Sequence, residues 1–293
     1  MYLQHFGLRE APFSLTPDTS YFFAHQGAQT ALNTLLVSLR SGEGFVKIVA
    51  EVGCGKTLMC RRLIAALNEE CETAYVPNPA IDARTMLLAV CDELGVDVDS
   101  AESSHLIIKQ LRRCLLVHAH AGRRVVLIID EAQAIPDETI EALRLMSNIE
   151  TEKQKLLQIV LFGQPELDQK LAQPNLRQLL QRITFADHIA PMVTDDVGAY
   201  VQHRLITAGA SDGRLFDAEA IAALATRSGG IPRLINVIAH KAMMVAFGEG
   251  AARVALQHVA LAADDTAAAG AVPAGLPWLA RFKALGQRRV AAK

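Results

Sequence analysis

Ala50-Glu51-Val52-Gly53-Cys54-Gly55-Lys56-Thr57 is the stretch whose reading decides the fold. It follows an apolar run, Phe45 to Val49, and precedes a helical pattern from Lys56 to Glu69. Strand, glycine-rich loop and helix in that order are the setting of a phosphate-binding loop. Backbone N–H groups from Gly53 to Lys56 would wrap a β-phosphate at the helix N-terminus, where the macrodipole favours anions. Lys56 would reach the β- and γ-phosphates and Thr57 would ligate magnesium, with Glu51, Val52, Cys54 and Leu58 completing the nucleotide-binding stretch. The motif usually opens on glycine, and here Ala50 stands in that place. A methyl group is acceptable there if the backbone keeps a negative φ, because only positive-φ positions demand glycine.

A second signal lies downstream. Val125-Val126-Leu127-Ile128-Ile129 is an aliphatic strand that ends in Asp130-Glu131. A strand this apolar belongs in a sheet centre and delivers its terminal carboxylates beside the phosphate loop. Asp130 would hold the magnesium shell and Glu131 would polarise an attacking water. Two acids after a buried strand also make an ordinary strand exit; the pairing with the glycine loop gives them weight.

Strand-like runs at Phe45–Val49, Thr73–Val76, Val125–Asp130, Leu156–Phe162 and Ile183–Ile189 alternate with helical patterns. These are Lys56–Glu69, Ala83–Leu94, Leu106–Ala119, Glu138–Ile149 and Leu176–Gln181. Such alternation requires crossover connections and predicts a parallel five-stranded sheet covered on both faces, an α/β nucleotide domain. Past Pro191 the strand signals stop. Val197–Ala208, Ala218–Arg227, Arg233–Phe247 and Leu256–Ala262 all read as helices, with Asp217 as an N-cap and Gly248 as a helix stop. The expected division is 1–192 for the α/β domain, 193–263 for an all-helical domain, and 264–293 for a linker and basic tail.

With 293 residues the chain can bury full cores without staples. No apolar stretch nears the roughly 20 residues of a membrane span, and the N-terminus has no apolar signal region. Five cysteines, with no CxxC pair, read as reduced thiols. Cys54 sits where a helix N-terminus and Lys56 would lower its pKa, unless it is only a small filler. Histidines 118 and 120 face different ways on a helix, so no zinc site is expected. The net charge is −2, and a tail with five cations and no acid leaves a body of −7. That acidic body counts against a broad DNA-binding face.

Further strings carry a resemblance: Tyr2–Phe13, Thr16-Pro17-Asp18, Gly44-Phe45, Asp130-Glu131-Ala132-Gln133, Gly163-Gln164-Pro165-Glu166-Leu167, Leu176–Ile183 and Gly230–Asn236. Together with the two nucleotide motifs, they make residues 1 to about 265 resemble the ExeA/GspA-type branch of the AAA+ ATPases. The resemblance implies a P-loop NTPase sheet with a helical lid, ATP and magnesium as ligands, and ATP hydrolysis by a homo-oligomer, with six subunits as one candidate size. It assigns Gln164 to the position where a polar side chain touches the γ-phosphate or the water, although an exposed loop amide would look the same. Arg182 takes the place of an arginine finger entering a neighbouring subunit; Arg177 is its rival, and a salt-bridged helix residue is the third reading. Arg233 matches the lid arginine that reports the γ-phosphate. Asn78 matches a restraint on the catalytic glutamate, or a simple Asn-Pro turn. Phe6, Pro12, Phe13 and Tyr21–Phe23 would lie near the adenine, or else form core.

The implied role is an oligomeric motor or switch in type IV pilus or secretion assembly. Its partners would be assembly proteins at the inner membrane, and its place the cytoplasm, with peripheral membrane contact through the tail. Two other readings stay open: a DNA-associated ATPase of the transposition-regulator type, and a nucleotide-gated scaffold with little turnover.

Overall fold

The computed structural model describes residues 2–152 and 154–266; the basic tail lies outside the described residues. In chain order the elements are α1 (Tyr2–His5), α2 (Gln26–Arg40), β1 (Phe45–Ala50), α3 (Lys56–Leu67), β2 (Cys71–Val76), α4 (Ala83–Glu93) and α5 (Ser104–His120). They continue with β3 (Arg124–Ile129), α6 (Asp137–Met146), β4 (Leu157–Gly163), α7 (Pro165–Leu171), α8 (Arg177–Leu180) and β5 (Ile183–Ile189). The final helices are α9 (Thr194–Thr207), α10 (Ala218–Ser228), α11 (Pro232–Gly248) and α12 (Leu256–Asp264).

The five strands form one parallel sheet in the order β2-β3-β4-β1-β5. The strand β1, with the sequence FVKIVA, is buried at every position, and β4 likewise. Strands covered on both faces lose the in–out alternation and read as continuous apolar runs, which is why they stand out in the sequence. On one face, Leu127, Ile129, Ile159 and Leu161 meet Met86, Val90, Leu111 and Leu143 of α4, α5 and α6. Helices α2 and α3 adjoin each other and the sheet.

Local chemistry sets the helix ends that matter. Asp82 caps α4, its carboxylate accepting the Arg84 and Thr85 N–H groups at 2.9 and 3.0 Å. Pro165 fits the first position of α7, where its missing N–H costs nothing. Gly163 lets α7 fold back over the end of β4, because a Cβ there would lie 2.6 Å from the Leu167 side chain.

The chain divides into two compact units, Thr16–Pro191 and a second made of Met1–Leu15 with the part from Met192 onward. The first fifteen residues, expected with the α/β domain, therefore cluster with the helical unit. The physical reason is Arg204 of α9, which is buried and donates to the carbonyls of Pro12 and Ser14. Phe13 also meets Phe216 edge to face, so these aromatics are core. Within the helical unit, Gly229 and Gly230 at φ +58 and +73 turn α10 into α11. A Cβ at Gly230 would strike the Met192 carbonyl at 2.0 Å, so only glycine fits. Asp217 stands at the expected N-cap, although its carboxylate turns to Arg253 at 3.0 Å.

Candidate nucleotide site

The loop between β1 and α3 has the shape the octapeptide demands. Gly53 and Gly55 lie at φ +83 and +85, and Gly55 is the residue from which α3 springs. Ala50 ends β1 outside the positive-φ region, so its methyl group carries no backbone strain. Its carbonyl accepts Lys56 Nζ at 2.9 Å, and the Glu51 carbonyl accepts the same ammonium at 3.2 Å. Lys56 is thus a buried cation whose ammonium, among the described residues, is held by the two loop carbonyls.

Thr57, one residue on, donates to Asp130 Oδ2 at 2.6 Å. Strand β3 brings Asp130 there: its N–H bonds to the Val76 carbonyl of β2, and the side chain is almost wholly buried. A hydroxyl and a carboxylate side by side are hard oxygen donors, which fits magnesium sharing its shell with phosphate oxygens and water. Tyr75 on β2 faces the same carboxylate; burial first, then the nearby charges of Cys60 and Asp130, push its phenol well up.

Glu131 occupies an unusual backbone state, φ +50 and ψ +38, the one non-glycine residue at positive φ among the described residues. Its carboxylate oxygen Oε2 accepts two amides, Gln133 Nε2 at 2.6 Å and Gln164 Nε2 at 2.8 Å. The strand order seats β4 between β1 and β3, so Gln164 at the end of β4 comes to the acidic pair. Glu51, Val52, Gly53, Cys54 and Leu58 all lie on the loop and first turn beside Lys56.

The remaining candidates stand elsewhere. Arg182 donates to Ser147 Oγ at 3.0 Å, to the Arg144 carbonyl at 3.5 Å and to Asn148, closing the C-terminus of α6. Arg177 is exposed at the start of α8; its carbonyl accepts the Gln181 N–H at 3.1 Å, and its guanidinium has no partner among the described residues. Arg233 is exposed in the first turn of α11, in the helical unit. A cation at a helix N-terminus opposes the macrodipole, and no acid in that turn offsets it. Asn78 accepts the Ala80 N–H at 3.5 Å, a turn contact, while Glu131 is held by other side chains.

The lowered pKa expected for Cys54 is corrected. Burial dominates and pushes the thiol up to about 11, with Lys56 only partly opposing it. Gln133 also belongs to the site, and its place two residues after Glu131 is the sequence signal for it.

Residues 39–171 match the family model of the AAA domain. Over 265 residues the chain is 44% identical to general secretion pathway protein A of Aeromonas hydrophila, covering 90% of this chain and 48% of that protein. The chain therefore spans about half the length of this curated relative. Among solved structures, it is similar to the ORC2 protein of Aeropyrum pernix in its ADPNP–ADP complexes. The TM-score is 0.67 at 17% identity, covering 89% of this chain and 72% of that one. Cdc6p of Pyrobaculum aerophilum aligns with a TM-score of 0.64 at 15% identity, covering 87% and 70%. The Thermotoga maritima Holliday junction branch migration motor RuvB gives 0.55 at 15% identity, covering 82% and 69%. At these identities the structural likeness is one of fold. The fold is that of an AAA-type P-loop NTPase.

Proposed function

Proceeding from an AAA domain related to a general secretion pathway protein A, we propose that the chain binds and hydrolyses ATP with magnesium and works as a homo-oligomeric motor or switch. The carrying observation is the convergence of Lys56, Thr57, Asp130 and Glu131 at the ends of β1 and β3. Lys56 turns from the Ala50 and Glu51 carbonyls to the β- and γ-phosphates, while the loop N–H groups hold the chain of phosphates in place. Thr57 and Asp130 would hold magnesium, which would supply charge neutralisation for the phosphoryl transfer. Glu131 takes a proton from water as it attacks the γ-phosphorus. Gln164 orients Glu131 from β4.

The relation to general secretion pathway protein A supports a role in secretion; type IV pilus assembly, with envelope components at the inner membrane as partners, is proposed beside it. The finer placement, beside the MSHA pilus-biogenesis ATPases, is part of the same proposal. No helix among the described residues is long and apolar enough to cross a membrane. Arg233 would report the γ-phosphate to the helical unit. A trans arginine would come from the segment around α8, where exposed Arg177 is freer to reach a neighbour than Arg182.

Steady-state phosphate release, measured beside nucleotide binding, tests this reading. Lys56→Ala should lose binding, whereas Glu131→Gln should bind ATP and lose turnover. Turnover that survives Glu131→Gln would leave the water-activating assignment without support.

A further inference from the structure

Gln133 closes a ring of three hydrogen bonds at the ends of β3 and β4. Its Nε2 donates to Glu131 Oε2 at 2.6 Å, and its Oε1 accepts the Gln164 backbone N–H at 3.0 Å. The Gln164 side chain completes the ring by donating to the same Glu131 oxygen at 2.8 Å. This pattern dictates how the Gln133 amide faces. Turned over, its oxygen would meet the carboxylate and its NH2 would meet an N–H, replacing two bonds by two repulsions.

The loop carrying the ring is itself held. Lys170 of α7 donates to the Gln133 carbonyl at 3.5 Å and to the Ile135 carbonyl. Glu131 sits at φ +50, a state a glutamate keeps only where its surroundings over-determine it. The two amides supply that constraint, and both spend themselves on one oxygen. Oε1 of Glu131 keeps no partner among the described residues, so it is the oxygen left to accept from water.

We propose that Gln133 is a positioning residue for the hydrolysis: it fixes the Glu131 carboxylate through Oε2 so that Oε1 meets the attacking water. Gln133 also ties that orientation to the end of β4. The inference rests on Glu131 being the base of the proposed ATPase. In the step it serves, the water oxygen bonds to the γ-phosphorus as the bond to the β–γ bridging oxygen breaks. The proton passes to Glu131 Oε1, and ADP leaves with the electron pair. Gln133 touches neither phosphate nor water; it acts through Glu131.

Steady-state ATP hydrolysis and binding of a fluorescent ATP analogue are compared for wild type, Gln133→Leu, Gln164→Leu, the double variant and Glu131→Gln. Gln133→Leu is expected to lower kcat by roughly 10- to 100-fold, the loss of one hydrogen bond to a charged group, with KM and nucleotide Kd within about twofold. Because either substitution opens the same ring, the double variant should lose little more than the worse single one. Should Gln133→Leu fail to fold by thermal melting, Gln133→Met keeps the length without the amide and must show the same kcat loss. An unchanged kcat, a raised KM with kcat retained, or losses that multiply would overturn the proposal. If Glu131→Gln turns over at the wild-type rate, the base assignment itself fails and takes this one with it. If Glu131→Gln is dead and Gln133→Leu is fully active, only the role of Gln133 falls.

Discussion

At residues 50 to 57 the backbone decides what each side chain is free to be. Gly55 has open space where a Cβ would go, so Gly55→Ala meets no clash and suffers only from φ +85. That strain is about 1–2 kcal/mol, which urea unfolding should register, together with weakened nucleotide binding as the loop relaxes. Ala50 is the opposite case: a buried strand residue outside the positive-φ region, whose carbonyl and not its side chain serves Lys56. Ala50→Gly should leave turnover intact and cost about 0.5–1 kcal/mol through added unfolded-state freedom. A large gain in turnover would mean that the methyl group does hinder the loop. Cys54 gives a chemical readout of the same neighbourhood. With its thiol pushed up to about 11, roughly one molecule in a thousand is thiolate at pH 8. Native-state alkylation followed by mass spectrometry should therefore leave Cys54 almost unmodified at pH 8, its rate climbing about tenfold per pH unit toward the pKa. Rapid labelling at pH 7 would show that Lys56 outweighs burial after all.

Among the elements, α7 shows how a helix near the site is secured. Asp168 on α7 pairs with Lys47, a buried cation on β1, and accepts from His188 Nε2 on β5 at 3.1 Å. Burial works to raise the Asp168 pKa, but the bonds from His188 and Lys47 and the Lys47 charge outweigh it and hold it below the usual carboxylate range. A carboxylate depressed in this way stabilises the fold above its ordinary pKa, near 4, and the contribution fades as the pH falls through the lower folded-state value. Asp168→Asn leaves Lys47 without a counter-charge and should cost about 2 kcal/mol at pH 7, toward the modest end because Asp168 is partly exposed. Urea unfolding at pH 7, 5 and 3 should find the gap between variant and wild type closing only below pH 4. A gap that stays constant to pH 3 would detach the stability from this charge. Strand β3 was legible because full burial writes the unbroken apolar run Val125–Ile129, β1 because Lys47 alone interrupts its apolar residues, and the loop because glycine alone tolerates its φ values. Helix α2 went unread: part of its buried stripe is Ala28 and Ala31, too small to mark a periodicity. The seven residues of α7 were read as a motif and not as a helix. No local pattern joins Lys47 to Asp168, or Glu131 to Gln164, since each pair forms only once crossovers set the strand order.

At the scale of the whole molecule, the parallel sheet gathers the ends of β1, β3 and β4 on one edge, where an open α/β sheet presents its ligand site. Among the described residues, the cation seated at the loop between β1 and α3 is Lys56. Arg182 is committed to Ser147, Asn148 and the Arg144 carbonyl at the end of α6, a capping role that favours stability in its own subunit. Arg177, exposed and unpaired among the described residues, can be given to a neighbour without undoing a helix end. The two arginines should therefore part ways. Arg182→Ala is expected to cost about 1–2 kcal/mol in unfolding free energy, with turnover of the folded fraction kept. Arg177→Ala should fold normally, bind ATP and lose on the order of 10³-fold or more in kcat, the scale of a missing arginine finger. Mixing supplies the decisive measurement. A Glu131→Gln subunit still carries Arg177, and an Arg177→Ala subunit still carries an intact base, so each alone is silent. Equal mixtures should recover roughly a quarter of the wild-type rate, the share of interfaces that pair the two good halves in a randomly assembled symmetric ring. An Arg182→Ala protein that is folded yet silent alone, and recovers when mixed with Glu131→Gln, would return the finger to Arg182. If neither mixture gains activity and wild-type specific activity is flat with concentration, the site is complete within one chain and the oligomeric motor is the wrong description.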